Sequence, residues 1–260
     1  MSGKELRLRR LFPGPRSTLF AVPLDHSLSV GPISGLARLG PTAHALQAGG
    51  ARCLIVHKGA VREVQHELLP TTLLGVHLSA STSLAPDTGR KRIAGTVEEA
   101  VRLGADLVSV QVNFGDPAEG EMLEDLGHTA EACEALGMPL LCMSYVKQKG
   151  KELDASAIAH ACRAVADLGA DIAKTNFPSV EGFRQVVAST PVPVLVGGGP
   201  RMDREEDLLR LVRESMTAGA RGICIGRNLF QAHDVTATAR RVAQLLADGG
   251  SPTVPAQEAR

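Results

Sequence analysis

Four times along this chain a glycine, an alanine and a charged residue separate a stretch of helical periodicity from an apolar run. They are Gly50-Ala51-Arg52, Gly104-Ala105-Asp106, Gly169-Ala170-Asp171 and Gly219-Ala220-Arg221. Glycine just past a helix end takes the left-handed conformation that closes the last turn, and the short step after it launches a strand. The phrase therefore reads as one helix-to-strand loop used repeatedly. Eight apolar runs fit this alternating order: Leu19–His26, Cys53–Lys58, Leu73–Ser79, Leu107–Phe114, Pro139–Tyr145, Ile172–Phe177, Val192–Gly199 and Gly222–Phe230. Most are apolar through their middles, as parallel strands covered on both faces should be. Eight such strands predict a closed (β/α)8 TIM barrel rather than an open doubly wound sheet.

The helix starts are also marked. Thr96 with Glu99 spells a capping box, and Asp203 with Glu206 a related one. Leu6, Leu8 and Leu11 alternate with Arg7, Arg9 and Arg10. This predicts a short amphipathic N-terminal helix, leucines inward and arginines in solvent. No linker or shift in composition divides the chain, so residues 1–247 form one domain, and the Gly-, Ser- and Pro-containing residues 248–260 are expected to be a flexible tail.

Charge excludes some roles. The 28 basic and 28 acidic residues cancel, which leaves no global basic field for nonspecific nucleic-acid binding. No apolar run approaches the roughly 18 residues of a membrane span, and the start lacks a signal-peptide core. Five scattered cysteines, none in a C-x-x-C pair, fit small buried hydrophobes in a reducing compartment. The expected location is the cytoplasm.

Barrel enzymes keep their chemistry at the C-terminal ends of the strands, so the polar residues closing each run carry the functional information. Lys174 lies in the sixth run and points into the mouth. Partial desolvation and nearby cations such as Lys58 or Lys147 would lower its pKa and leave a nucleophilic amine. A structural lysine paired with Asp25 or Asp171 is the other reading. Tyr145, the one tyrosine in a chain without tryptophan, ends the neighbouring fifth run, where a phenol can pass a proton to an alkoxide. Asp25 ends the first run and could shuttle protons or hold Lys174 charged, and His26 could orient a hydroxyl. His57 and His77 also end runs, but no metal-ligand spacing accompanies them. Gly197-Gly198-Gly199-Pro200 and Gly226-Arg227-Asn228 occupy the loops after strands seven and eight, where barrels bind phosphate on backbone N–H groups.

These residues, in this order, resemble a known family. Val22-Pro23-Leu24-Asp25-His26-Ser27, His57-Lys58-Gly59, His77-Leu78-Ser79-Ala80, Asp171-Ile172-Ala173-Lys174-Thr175, Val196-Gly197-Gly198-Gly199-Pro200 and Gly226-Arg227-Asn228-Leu229-Phe230 are similar to segments of class I aldolases of the DeoC/archaeal fructose-bisphosphate type. The likeness runs from about residue 5 to 240. It implies Lys174 as the Schiff-base lysine, Tyr145 as proton donor and Asp25 as proton acceptor. It also implies contacts to a phosphorylated substrate from His26, Ser27, Ser29, Gly198, Gly199, Gly226 and Arg227. Where these relatives carry Pro-Arg-Gly after the tyrosine, this chain reads Val146-Lys147-Gln148, and a lysine cannot form an arginine's bidentate fork.

The resemblance further implies no cofactor and no metal, since an iminium supplies the polarisation that zinc would otherwise provide. Its partners would be small phosphorylated ketones and aldehydes, with no nucleic acid or membrane, in a homo-oligomer, pentameric or decameric by analogy. His77-Leu78-Ser79-Ala80-Ser81-Thr82 and Ala85-Pro86-Asp87 resemble the members that join dihydroxyacetone phosphate to aspartate semialdehyde, giving a C7 amino sugar acid phosphate. The alternatives are a transaldolase feeding aromatic biosynthesis, a fructose-bisphosphate aldolase, a thiolase-like acyltransferase dependent on coenzyme A, and a non-enzymatic phosphometabolite-binding barrel.

Overall fold

The computed structural model describes residues 2–249. Eight parallel strands close into a barrel in sequence order: β1 Leu19–Pro23, β2 Cys53–His57, β3 Leu73–His77, β4 Leu107–Phe114, β5 Leu140–Val146, β6 Ile172–Thr175, β7 Val194–Gly197 and β8 Gly222–Cys224. The last pairs with the first through Leu19–Gly222, Phe20–Ile223 and Ala21–Cys224. Gly50, Gly104, Gly169 and Gly219 all have positive φ, between 81° and 101°, which is why the repeated loop requires glycine.

Both strand faces are buried, but they face different cores. Leu19, Ala21, Cys53, Ile55, Leu107, Leu141, Ile172, Leu195 and Cys224 fill the lumen. Phe20, Val22, Leu54, Val56, Val108 and Val196 pack outward beneath the helices. This alternation puts Lys174 on the same inward side as Ile172, two residues higher. Among the described residues no helix is long and apolar enough to cross a membrane.

The N-terminal helix Gly3–Leu11 closes the floor, with Leu11 fully buried against the lumen residues and Leu8 and Phe12 packed beside it. Its polar residues latch it in place. Arg7 donates to the Gly137 carbonyl at 2.8 Å, Arg10 pairs with Asp106 at 2.7 Å, and Lys4 pairs with Glu134 and Asp171. Two expectations are corrected here: Leu6 is exposed rather than inward, and Arg7 and Arg10 hold partners rather than facing solvent alone. Leu11→Ala is expected to cost about 2–4 kcal/mol, the range for an emptied leucine site. Leu6→Ala should stay within about 0.5 kcal/mol. Denaturant titration of both variants checks this, with kcat unchanged because the floor lies far from the mouth.

The strand ends were read too long. His26–Val30 and Arg227–Phe230 are short helices, so the first and last runs stop at Pro23 and Cys224. Ser79–Ala80 leaves the barrel and pairs antiparallel with Arg92–Ile93 in a rim hairpin that the sequence did not announce. Thr96 caps the helix Val97–Arg102 by accepting from the Glu99 N–H, while the Glu99 carboxylate turns to Lys58 at 2.9 Å instead of completing a box. Asp203 is not a cap, because the helix Glu205–Thr217 starts after Arg204. The expected tail from residue 248 is overturned at its start: residues 248 and 249 end the helix Val235–Gly249, and 250–260 lie outside the described residues.

Candidate active site

The mouth of the barrel holds a cavity of about 360 Å3 whose walls include Asp25, Tyr145, Lys147, Lys174, Gly198 and Arg227. Backbone register builds its reactive corner. Lys174 lies opposite Met143 on β5 and Leu195 on β7, and Tyr145 stands two residues above Met143 on the same face. Lys174 is 5% exposed, its Nζ is 3.7 Å from Met143 Sδ and 5.8 Å from the centre of the Tyr145 ring. Gly197 leaves room beside the pair: a Cβ there would stand 3.4 Å from Lys174 Cε and 3.5 Å from the Tyr145 hydroxyl.

Asp25 follows β1 and is enclosed by imidazoles. His26 Nδ1 approaches its Oδ1 at 3.3 Å, an ion-pair distance, although neither atom completes an aligned hydrogen bond. His77 Nε2 lies 3.7 Å from Oδ2. Burial alone would raise the Asp25 carboxyl. His26, His77 and Lys174 reverse this and hold it ionised, well below the usual carboxylate range.

Lys174 corrects an expectation. Burial does oppose its charge, but Cys224, Tyr145 and Asp25 outweigh burial and keep the ammonium protonated above the ordinary lysine range. Burial pushes the Cys224 thiol and the Tyr145 phenol up, and the Lys174 charge pulls both the other way. Lys58 does not serve as a neighbouring cation, since it pairs with Glu99. Asp171 is not a partner either, because it sits at the floor with Lys4 and the Leu140 N–H.

Across the cavity, the loops after β7 and β8 are stitched together. Asn228 Nδ2 donates to the carbonyls of Gly198 and Pro200 at 3.0 and 3.1 Å, and Arg227 donates to the Gly199 carbonyl at 3.0 Å. A Cβ on Gly226 would stand 2.7 Å from the Pro23 carbonyl and 2.8 Å from His26 Cε1, so only glycine fits this approach. The guanidinium Nε of Arg227 is buried without a partner. The result is a pole of backbone amides and one cation, suited to a phosphate. Lys147 stands on the opposite side, 5.7 Å from the Tyr145 ring centre.

The structure thus gathers Asp25, His26, Ser29, Tyr145, Lys147, Lys174, Gly198, Gly199, Gly226 and Arg227 around one cavity. Ser27 is not in its wall; its carbonyl accepts from the Gly31 N–H at the end of the short helix. Sequence reasoning missed Gln111 as a wall residue, and named Asn228 only within the loop Gly226-Arg227-Asn228. Gln111 carried a legible signal, as an amide set between Val110 and Val112 in β4. His57 and His77 stand beside Asp25, with ring centres 5.3 Å apart. Among the described residues no group of three or more His, Cys, Asp and Glu side chains is placed to hold a metal ion.

A closed barrel with a buried lysine, a phenol and a carboxylate at its mouth, facing a glycine-built anion pole, defines a class I aldolase. The sequence matches the DeoC/LacD family aldolase model over residues 19–232, and the chain belongs to that family. It is 41% identical to the 2-amino-4,5-dihydroxy-6-oxo-7-(phosphonooxy)heptanoate synthase of Streptomyces griseus, over 95% of this chain and 92% of that one. It is 37% identical to the 2-amino-3,7-dideoxy-D-threo-hept-6-ulosonate synthase of Halobacterium salinarum, over 96% and 94%. A solved archaeal fructose-1,6-bisphosphate aldolase, with its catalytic lysine covalently bound to the carbinolamine intermediate of the substrate, superimposes with a TM-score of 0.85. That similarity covers 94% of this chain and 99% of the other at 27% identity.

Proposed function

We propose that the protein joins dihydroxyacetone phosphate to aspartate semialdehyde through a Schiff base on Lys174, giving a C7 amino sugar acid phosphate. The observation that carries the reading is the burial of Lys174 over an apolar floor, coupled to Tyr145 and Asp25 and facing the Gly198–Arg227 anion pole. The name of the Streptomyces griseus relative supports the choice of product.

The donor's phosphate sits on the amides of Gly198, Gly199 and Gly226 with Arg227, which brings its ketone toward Lys174. The nitrogen attacks the carbonyl carbon. The two protons that the ammonium loses pass to the carbonyl oxygen, which leaves as water. The iminium then acts as an electron sink. Asp25 takes a proton from the adjacent carbon, and the C–H electron pair becomes the enamine double bond. That carbon attacks the aldehyde, Tyr145 protonates the new alkoxide and regains a proton from Asp25, and water releases the product and restores the ammonium. Lys147 faces the acceptor's carboxylate as a point charge rather than a fork.

The test is trapping. The protein is incubated with dihydroxyacetone phosphate, reduced with borohydride and digested for peptide mass spectrometry. The expected result is one adduct, on Lys174. An adduct on Lys58 or Lys147, or none with this donor, a 6-deoxy-5-ketohexose phosphate or fructose 1,6-bisphosphate, overturns the assignment. Aspartate semialdehyde is then tested as acceptor against glyceraldehyde 3-phosphate.

A further inference from the structure

Behind Asp25 lies a second layer of polar side chains for which the proposed chemistry has no role. His77, 5% exposed at the end of β3, turns Nε2 toward Asp25 Oδ2 at 3.7 Å and Nδ1 toward Ser109 Oγ at 2.8 Å. Ser109 is fully buried on β4, directly opposite His77 in the sheet register. The neighbouring His57 places its Nδ1 3.1 Å from the His77 carbonyl, which can only accept, so that nitrogen donates.

Two arguments fix the tautomer of His77. If Nδ1 carried the proton, the Ser109 hydroxyl hydrogen would be buried without an acceptor, a cost of about 1–3 kcal/mol. The bare Nε2 lone pair would also face an anionic carboxylate. With the Ser109 O–H donating to Nδ1, both problems vanish, and Nε2–H points at Asp25. We propose that His77, its tautomer set by Ser109, is the positioning residue that keeps Asp25 an oriented carboxylate for removal of the donor's carbon-bound proton. This rests on the reading of Asp25 as the proton acceptor.

His77 acts as a neutral group: burial, ahead of the opposing pull of Asp25, lowers its pKa to about 4. Its contribution is an N–H dipole that gives up no proton during turnover. The other groups facing Asp25 are His26 on the following short helix, His57 on β2, Lys174 on β6, Tyr145 on β5, Cys224 on β8 and Lys91 beyond the rim. Of these, Lys174 is committed to the substrate once the Schiff base forms. The support from His77 then remains while the charge on Lys174 has become the iminium.

The half-reaction tests this directly. Wash-in of solvent deuterium into dihydroxyacetone phosphate, followed by NMR, measures proton removal without any acceptor aldehyde. His77→Leu should slow exchange on the order of 10–100-fold, short of the 10²–10⁴ a proton-transfer group itself supplies. Borohydride trapping on Lys174 and the donor KM should stay within about threefold. The acid limb of the exchange rate should move to higher pH, because Asp25 loses one of the groups that lower its pKa. His77→Gln keeps an N–H near the Nε2 position and should recover most of the rate, while Ser109→Ala should fall between the two. Exchange in His77→Leu at the wild-type rate overturns the proposal, as does a His77→Gln variant as slow as His77→Leu with the acid limb unmoved. Asp25→Asn separates the two ideas. If it still exchanges, the role of Asp25 itself fails; if it is dead while His77→Leu is unaffected, only His77 is mis-assigned.

Discussion

Lys174→Met is expected to lower the rate of carbon–carbon bond formation on the order of 10⁵-fold or more, the scale of losing a covalent nucleophile. Borohydride trapping should disappear with it. Methionine nearly matches the lysine stem and meets Met143 and the Leu195 side of the lumen, so packing survives. What changes is charge. Asp25 loses a counter-ion but keeps His26 and His77, so its carboxyl rises without reaching its unfolded value. A carboxylate whose folded pKa is depressed adds stability above its unfolded pKa, and that stability is lost as pH falls through the folded value. The variant should therefore melt a few degrees below the parent at neutral pH, a deficit that narrows in acid as the Asp25 contribution is lost from both proteins. Circular dichroism melts at both pH values, beside a product assay, separate chemistry from folding. Activity within a hundredfold of wild type, with an adduct still trapped, would sink the assignment.

Tyr145→Phe is the second large effect. The ring, partly buried against the lumen residues, is retained, and only the hydroxyl beside Lys174 is removed. Condensation should slow by about 10²–10⁴, the value of a positioned proton donor. Deuterium wash-in to the donor should fall far less, since Asp25 rather than the phenol takes the carbon-bound proton. Burial raises the phenol's pKa, with Lys174 pulling the other way, so in the parent protein it remains a donor well past neutral pH. Equal losses in wash-in and condensation would instead place Tyr145 in Schiff-base formation alone.

How much of this was legible in the sequence depended on what each residue's neighbours in the chain reveal. β4 was read to the residue because Leu107–Phe114 sets Val108, Val110 and Val112 at every second position between sharp ends. Lys174, Tyr145 and the glycine loops were legible because polar residues closing apolar runs of a barrel must meet at its mouth. The overlong strands had one cause: Leu229 and Phe230 are as buried in a helical turn as they would be in a strand, so apolarity alone could not tell them apart. The rim hairpin, two residues on each side, is too short to show any period. The protonation of Lys174 was misjudged because sequence names candidate charges without distances. Lys58 lay with Glu99, Asp171 lay at the floor, and the determining partners came from β1, β5 and β8. His77 and Ser109 were missed as a pair because they are 32 residues apart and meet only through the register of β3 with β4.

The lone tyrosine has a further consequence. With no tryptophan and one tyrosine in 260 residues, the near-ultraviolet absorbance of the protein beyond the weak phenylalanine bands arises from a single ring, and that ring lines the cavity. The molecule therefore carries its own optical probe, with no label and no background from elsewhere in the chain. Phenolate absorbance reads the ionisation of Tyr145 directly, and a difference spectrum on adding a donor reports occupancy of its surroundings in real time. Stopped-flow spectroscopy on the unmodified protein can follow the arrival of substrate at that ring.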